Sequence, residues 1–206
     1  MQSPHLPKTP YCVYRDFLDI GTHSALLAWA TNNEAEFKAS HVTDDKTARV
    51  DPSVRVSMRV KDFGPTVSIL RERMLDLTPA LIRDLRVTSF EPSGVETELV
   101  ASNDGAFFVS HIDTLTGHAQ RLVSAVYYFH AEPKMFSGGA LRLHAPFKKA
   151  GETNFVDVQP EQNTLVVFPS WMPHEVRPVS CPTRRFSHSR FSVNLWILRK
   201  RRSATS

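Results

Sequence analysis

Beyond about residue 95 the chain becomes a succession of short β-type runs, and that texture limits its fold more than any other feature. The runs cover residues 106–110, 121–129, 140–144, 154–158, 164–168, 174–179 and 191–198, each bounded by Gly, Pro, Asn or Asp. Seven or eight short strands within about 100 residues predict a sandwich, barrel or jelly roll in place of a sheet wound with crossover helices. Before residue 95 the texture is helical. Ser24-Ala-Leu-Leu-Ala-Trp-Ala30 is rich in helix formers and follows a plausible Ser/Thr cap. Gly64-Pro65 opens a second stretch with Leu70, Met74, Leu75 and Leu77 at three- and four-residue spacings. Thr78-Pro79 then reads as a cap followed by proline at the first position of a further helix, with Leu81, Ile82 and Leu85 as its buried stripe. The expectation is one domain over 1–206: mostly helical support in 1–94, a β core in 95–198 and a basic tail in 199–206.

Hydrophobic residues make up 41% and charged residues 22% of the chain. That ordinary globular balance excludes a disordered, collagen-like or disulfide-stapled chain. No apolar run approaches the roughly 20 residues that span a bilayer, so no membrane partner is expected. Residues 1–10 hold three prolines and no apolar centre, unlike a signal peptide. Cys12 and Cys181 fall in no metal-ligand spacing, and the expected location is the cytoplasm. The net charge of +4 is unevenly spread: Val176 onward holds eight basic residues and no acid, and the other 17 basic and 21 acidic residues leave −4. Arg199-Lys200-Arg201-Arg202 reads as a solvated end, so the basic balance is poor evidence for a nucleic-acid partner.

His111-Ile-Asp113 is the first feature that could carry chemistry. On an extended chain, residues i and i+2 point to one face, so the imidazole and carboxylate can converge on one ion. His174, opening another β run, is the candidate third ligand. Two histidines and a carboxylate leave adjacent positions open on a metal, the arrangement suited to non-haem Fe(II) oxygen chemistry. Arg190-Phe-Ser192-Val-Asn194-Leu-Trp196 alternates, with Arg190, Ser192, Asn194 and Trp196 on one face and Phe191, Val193, Leu195 and Ile197 on the other. If the polar face lines a pocket, Arg190 offers a bidentate fork for a carboxylate. One of Tyr127 and Tyr128 faces inward and needs a hydroxyl partner. Gly138-Gly139 marks a tight turn or close backbone approach. His144 is expected to be structural, His118 and His130 to lie in loops, and His5, His23 and His41 to be surface residues.

The ordered set Phe108-x-x-His111-x-Asp113, Val126-Tyr-Tyr-Phe, Ser137-Gly-Gly-Ala-Leu-Arg-Leu, Phe168-Pro-x-x-x-Pro-His174-Glu-Val-x-Pro-Val179 and Arg190-Phe-Ser-Val-x-x-Trp196 resembles the 2-oxoglutarate- and Fe(II)-dependent dioxygenases. The prolyl 4-hydroxylase-like branch is the most similar. Upstream, Asp16-Phe-Leu-Asp19, Ala35-x-Phe37 and Asp51-x-x-Val-Arg55-x-Ser57 resemble the helical N-terminal part of bacterial members. The resemblance implies a mainly β double-stranded β-helix (jelly roll, cupin-like) core with N-terminal helices packed outside. It implies His111, Asp113 and His174 as iron ligands, and Arg190 and Tyr128 on the distal carboxylate of 2-oxoglutarate. Trp196 and Leu141 match pocket-lining positions. The implied cofactors are Fe(II), 2-oxoglutarate and O2, with ascorbate a candidate reductant. The implied reaction couples decarboxylation of 2-oxoglutarate to succinate with hydroxylation of an unactivated C–H, in a prolyl residue or a small amino-acid-like metabolite.

In many relatives the basic residue lies nine or ten positions after the second histidine. Arg184 holds that spacing here, whereas Arg190 comes 16 later. Arg190 is preferred for its place on the strand, and 181–188 then reads as an extended loop able to touch substrate. Two other readings stay open: a non-enzymatic cupin-like binding module, and a zinc protein using the same His/Asp/His set. The sequence leaves the oligomeric state open.

Overall fold

A computed structural model describes residues 9–44, 47–114, 118–145 and 154–200. The chain opens with β1 (Cys12–Tyr14) and α1 (Ile20–Asn32). Five short strands follow, β2 (Lys38–Ala39), β3 (Val42–Asp44), β4 (Thr47–Arg49), β5 (Arg55–Val56) and β6 (Met58–Val60), and then α2 (Thr66–Asp84). The β-rich remainder holds β7 (Pro92–Ser102), β8 (Phe107–His111), β9 (Arg121–Phe129), β10 (Ser137–Gly138) and β11 (Leu141–His144). It ends with β12 (Phe155–Val158), β13 (Thr164–Pro169), β14 (His174–Val176), β15 (Val179–Ser180) and β16 (Arg190–Arg199). One sheet has seven strands in the order β1-β13-β9-β16-β7-β6-β2, and a second has five in the order β12-β11-β14-β8-β5. Their pairings are antiparallel, as the short, closely spaced runs predict.

Period-two alternation decides which face meets which neighbour. On β16, Phe191, Val193, Leu195 and Ile197 are fully buried and pack with Leu26 and Ala30 of α1 and Leu70, Met74 and Leu81 of α2. Both helices therefore cover the outer face of the seven-stranded sheet. Burying each such side chain contributes about 1.5–3 kcal/mol. The inner face meets the second sheet through Val126, Tyr128, Val166 and Phe168 on one side and Leu141 and Leu143 on the other. The predicted jelly-roll core with helices outside is the architecture found.

Several local expectations change. Thr78-Pro79 starts no helix, because α2 runs unbroken through Pro79. Proline in a helix interior costs about 3 kcal/mol, yet Leu70, Met74, Thr78 and Leu81 form one continuous buried stripe across it. The Thr78 hydroxyl donates to the Met74 carbonyl at 3.1 Å. α1 begins earlier than its Ser/Thr candidates, at Ile20, because Asp19 caps it: the Thr22 amide donates to Asp19 Oδ1 at 2.9 Å. The run 174–179 splits into β14 and β15 around Pro178, which has no ladder N–H. The region 1–94 supplies more than helices, since β1, β2, β5 and β6 join the two sheets. At the other end Arg199 closes β16 and Lys200 pairs with Glu91 at 3.1 Å, while Arg201 and Arg202 lie outside the described residues.

β7, beside β16, is with eleven residues the longest of the strands that the runs of short β texture do not include. Its signal is an alternation: Val95, Leu99 and Ala101 join the helix-side core, while Glu96, Glu98, Val100 and Ser102 line a cavity between the sheets. The two glutamates make that inner face resemble a solvated one.

Candidate active site

β8 and β14 pair antiparallel with His174 directly opposite His111. Residues 63 positions apart in sequence thus become cross-strand neighbours, with ring centroids 4.2 Å apart. Asp113 lies just past the end of β8, where its amide donates to the Ser170 carbonyl at 2.9 Å and ties it to the end of β13. His174 Nε2 lies 3.6 Å from Asp113 Oδ2, and His111 Nε2 lies 3.9 Å from Asp113 Oδ1. One donor atom from each residue falls within 4.8 Å of the others, a spacing that could hold a metal ion.

Hydrogen bonds fix which atoms face that point. His111 Nδ1 lies 2.9 Å from the Val109 carbonyl and His174 Nδ1 lies 2.9 Å from the Met172 carbonyl. A carbonyl only accepts, so both rings carry a proton on Nδ1 and turn Nε2 toward Asp113. Phe108 stacks on His111 at 3.7 Å and 21°, holding the ring flat. The Ser124 hydroxyl donates to Asp113 Oδ2 at 2.6 Å and lies 2.8 Å from the Ser170 hydroxyl. One hydroxyl has one proton, so Ser170 donates to Ser124 and Ser124 to Asp113. Ser124 thus engages Oδ2, and Oδ1 is the oxygen nearer His111 Nε2.

Burial, with His174 beside it, drives the His111 imidazole down to about 3. Burial acts to raise the Asp113 carboxyl, but His174 and His111, with the Ser124 hydroxyl and the Trp196 indole, hold it below the usual range. The metal-free trio therefore favours neutral His111 beside an ionised carboxylate, the protonation states that ligation requires.

Arg190, Tyr128, Trp196 and Leu141 line the same cavity of about 760 Å³ as the trio. Arg190 is 2% exposed, and its Nη1 donates to the Ser102 hydroxyl at 3.1 Å. Its guanidinium carbon lies 4.9 Å from the centre of the Tyr128 ring. Among the described residues Tyr128 Oη and Arg190 Nε are buried without a well-formed hydrogen-bond partner, although the two side chains also interact with each other. Buried donors without partners are rare and costly. Two side by side are what a cavity built around a ligand carboxylate presents before that ligand arrives. Burial pushes the Tyr128 hydroxyl up, so it stays a proton donor, and Arg190 opposes the shift. Gly139 explains its glycine pair: at φ +70 its backbone runs so near Arg190 that a Cβ would lie 2.6 Å from Arg190 Cδ.

Arg184 stays away from this cavity, exposed and paired with Asp104 at 3.2 Å. The segment around it folds into a 3-10 turn, Phe186–His188, and supplies none of the cavity lining. Tyr127 faces the other core. Its hydroxyl donates to Asn163 Oδ1 at 2.8 Å and accepts from His23 Nδ1 at 2.7 Å, so His23 is buried and not a surface residue. His130 is buried at the end of β9, His144 lies outside the cavity lining, and His118 and His41 border it. His5 lies outside the described residues. Ser124 and Ser170 escaped the sequence reading. The one serine inside the strand Arg121–Phe129, set among apolar residues, is the signal for the first.

Residues 97–198 match the model of the 2OG-Fe(II) oxygenase superfamily. An uncharacterised PKHD-type hydroxylase of Synechocystis sp. is 34% identical over 204 residues, covering 97% of this chain and 66% of that relative's length. Among solved structures, a Pseudomonas putida prolyl-4-hydroxylase superimposes with TM-score 0.68 and 25% identity over 94% of both chains. A Trichoplax adhaerens prolyl hydroxylase, solved with a hypoxia inducible factor peptide fragment, shares the fold at TM-score 0.67 and 18% identity, over 93% of this chain and 84% of that one. A His/Asp/His cluster beside a buried arginine in a jelly roll, together with these likenesses, leads to one assignment: the chain belongs to the 2OG-Fe(II) oxygenase superfamily.

Proposed function

We propose that this protein is a hydroxylase using Fe(II), 2-oxoglutarate and O2, with a prolyl residue of a peptide as the primary substrate. The observation that carries the reading is the pair of partnerless buried donors, Tyr128 Oη and Arg190 Nε, in the cavity that also holds the trio. A cupin-like binding module has no need of the metal trio beside that pair, and a zinc hydrolase has no evident use for the pair itself.

His111 Nε2, His174 Nε2 and Asp113 Oδ1 are the atoms that would hold the metal. Bound there, Fe(II) supplies the O2 activation and oxidative decarboxylation that no side chain can perform. The chain's own residues bind and orient. Arg190 and Tyr128 would accept the distal carboxylate of the cosubstrate, Arg190 with its charge and Tyr128 with a hydroxyl proton. Leu141 and Trp196 would wall the cavity and exclude water. The Ser170–Ser124–Asp113 chain holds the carboxylate so that one oxygen faces the ion.

A prolyl substrate draws support from the likeness to a prolyl-4-hydroxylase and from a cavity with room beyond the cosubstrate. A free amino-acid-like metabolite is the competing substrate. No helix among the described residues is long and apolar enough to cross a membrane. Free thiols at Cys12 and Cys181 agree with a cytoplasmic location. Anaerobic titration with Fe(II) and 2-oxoglutarate should give a weak visible charge-transfer band. A 2-oxoglutarate turnover screen of prolyl peptides and amino acids, read by succinate and by mass gain of one oxygen, should identify the substrate. No band and no succinate would sink the reaction, and oxygen gained only by free metabolites would sink the peptide.

A further inference from the structure

The cavity has a second charged region that the trio and the Arg190–Tyr128 pair leave unused. Glu98, on the inner face of β7, sits between two guanidiniums: Arg55 Nη2 donates to Oε1 and Arg59 Nη1 to Oε2, both at 2.9 Å. All three side chains are at most 20% exposed. Arg55 comes from the edge of one sheet and Glu98 from the other, so that pair forms a polar tie between the sheets without Arg59. Arg59, whose Nη2 also lies 3.0 Å from His41 Nδ1, is surplus to the tie and leaves the cluster with one positive charge. Two residues along the same face, Glu96 pairs with Arg121, whose guanidinium lies 3.9 Å over the Trp196 ring. Lys61 and Arg71 line the cavity too. Arg71 donates to the Thr97 hydroxyl at 3.2 Å, and among the described residues neither has a carboxylate partner.

This region thus carries five cations, Arg55, Arg59, Lys61, Arg71 and Arg121, against two carboxylates. The surplus belongs to a body, residues 1–175, whose own net charge is −4. Positive charge is gathered into the cavity wall against the trend of the chain. Arg55 also connects it to the trio, lying 5.0 Å over Phe108, the ring that stacks on His111. Arg55 thus stands about two stacked layers from the ion-binding point, and Arg59, Lys61 and Arg71 line the same cavity, open to one substrate spanning both.

We infer that Arg59, with Lys61 and Arg71, forms a subsite for a carboxylate of the primary substrate, so that the protein selects acidic over neutral prolyl substrates. The inference rests on the reading of this cavity as the oxygenase site and adds the substrate's charge class.

Blocked prolyl peptides carrying Glu on either side of the proline, and the same peptides carrying Gln, are titrated calorimetrically into the full chain. The titrations are done anaerobically, with and without Fe(II) and 2-oxoglutarate. Glutamate peptides should bind about tenfold more tightly for each guanidinium they engage, and the preference should shrink between low and high salt. Arg59→Gln leaves Arg55 on Glu98, and Arg71→Gln changes an exposed helix position; each should cut the preference severalfold. Glutamate tested against glutamine as free amino acids tells a metabolite carboxylate from a peptide one. Acidic ligands that bind no better than their amides, or a preference untouched in both variants, overturn the subsite. A preference that survives while the Fe(II) and 2-oxoglutarate titration fails would instead overturn the reaction and leave the subsite standing.

Discussion

Replacing Tyr128 with phenylalanine separates the hydroxyl's cost from its use. In the ligand-free protein the Tyr128 oxygen is buried without a partner, and an unsatisfied buried hydroxyl costs about 1–3 kcal/mol. The ring itself packs among Val126, Leu141, Val166 and Phe168 and would stay. Tyr128→Phe should therefore stabilise the ligand-free protein by about 1 kcal/mol, a rise of about 2–4 °C in Tm for a chain of this size. The same change should remove one hydrogen bond to a bound carboxylate, about 1.4 kcal/mol or tenfold in affinity. Ligand stabilisation follows RT ln(1 + [L]/Kd), so 2-oxoglutarate at about 100 times the wild-type Kd contributes about 2.7 kcal/mol to the wild type and about 1.4 to the variant. The two effects have opposite signs. Melting the metal-loaded protein anaerobically, over a series of 2-oxoglutarate concentrations, should show the variant ahead at zero ligand and its lead vanishing as ligand rises. A lower ligand-free Tm would mean that the hydroxyl is satisfied within the fold. An undiminished ligand increment would mean that the cosubstrate's carboxylate lies elsewhere.

Other outcomes follow from the same geometry. Ser124→Ala should weaken metal binding about 10–100-fold without unfolding the chain, measured by competition with a chromogenic chelator; unchanged affinity would show that Asp113 needs no such support. Arg190→Ala should raise the 2-oxoglutarate requirement by about two orders of magnitude, whereas Arg184→Ala, on the surface beside Asp104, should leave it unchanged; the reverse result would move the clamp to Arg184. Gly139→Ala would force a side chain to φ +70 against Arg190, so both Tm and 2-oxoglutarate affinity should fall, and a change in neither would refute the close approach. With His111 depressed to about 3 in the folded, metal-free protein, the unfolded chain takes up the proton first as pH falls. Stability should then drop by about 1 kcal/mol between pH 6.5 and 5.5 from this residue alone, the slope steepening toward about 1.4 kcal/mol per unit at lower pH, and buried His23, also depressed, adds to the slope. Urea titrations at pH 5.5 and 6.5 should show the drop, reduced by one proton in His111→Gln; equal slopes in the two proteins would contradict it.

The sequence by itself determined faces and spacings. Alternation along Arg190–Trp196 assigned one side of β16 to the core and made the other a candidate pocket wall, because the side-chain period of a strand is two whatever its neighbours are. The two-residue step from His111 to Asp113 was legible for the same reason. Helix α2 was legible in its apolar stripe but not in its continuity, since Pro79 is a local stop that only burial against the sheet overrides. β7 hid because Glu96 and Glu98 look solvated until Arg121, Arg55 and Arg59 are seen to meet them.

What tertiary structure alone decided is register across the sheets. Nothing local to His174 says that it sits opposite His111, that Arg190 reaches Ser102 and Tyr128, or that Arg184 stays outside. Spacing from the second histidine favoured Arg184, and strand position favoured Arg190. Strand pairing is fixed by which rows of side chains fill the space between two sheets, a property of the whole core. The chemistry was therefore readable residue by residue, while the cavity that unites those residues, its partnerless donors and its cationic wall exist only once the sheets close.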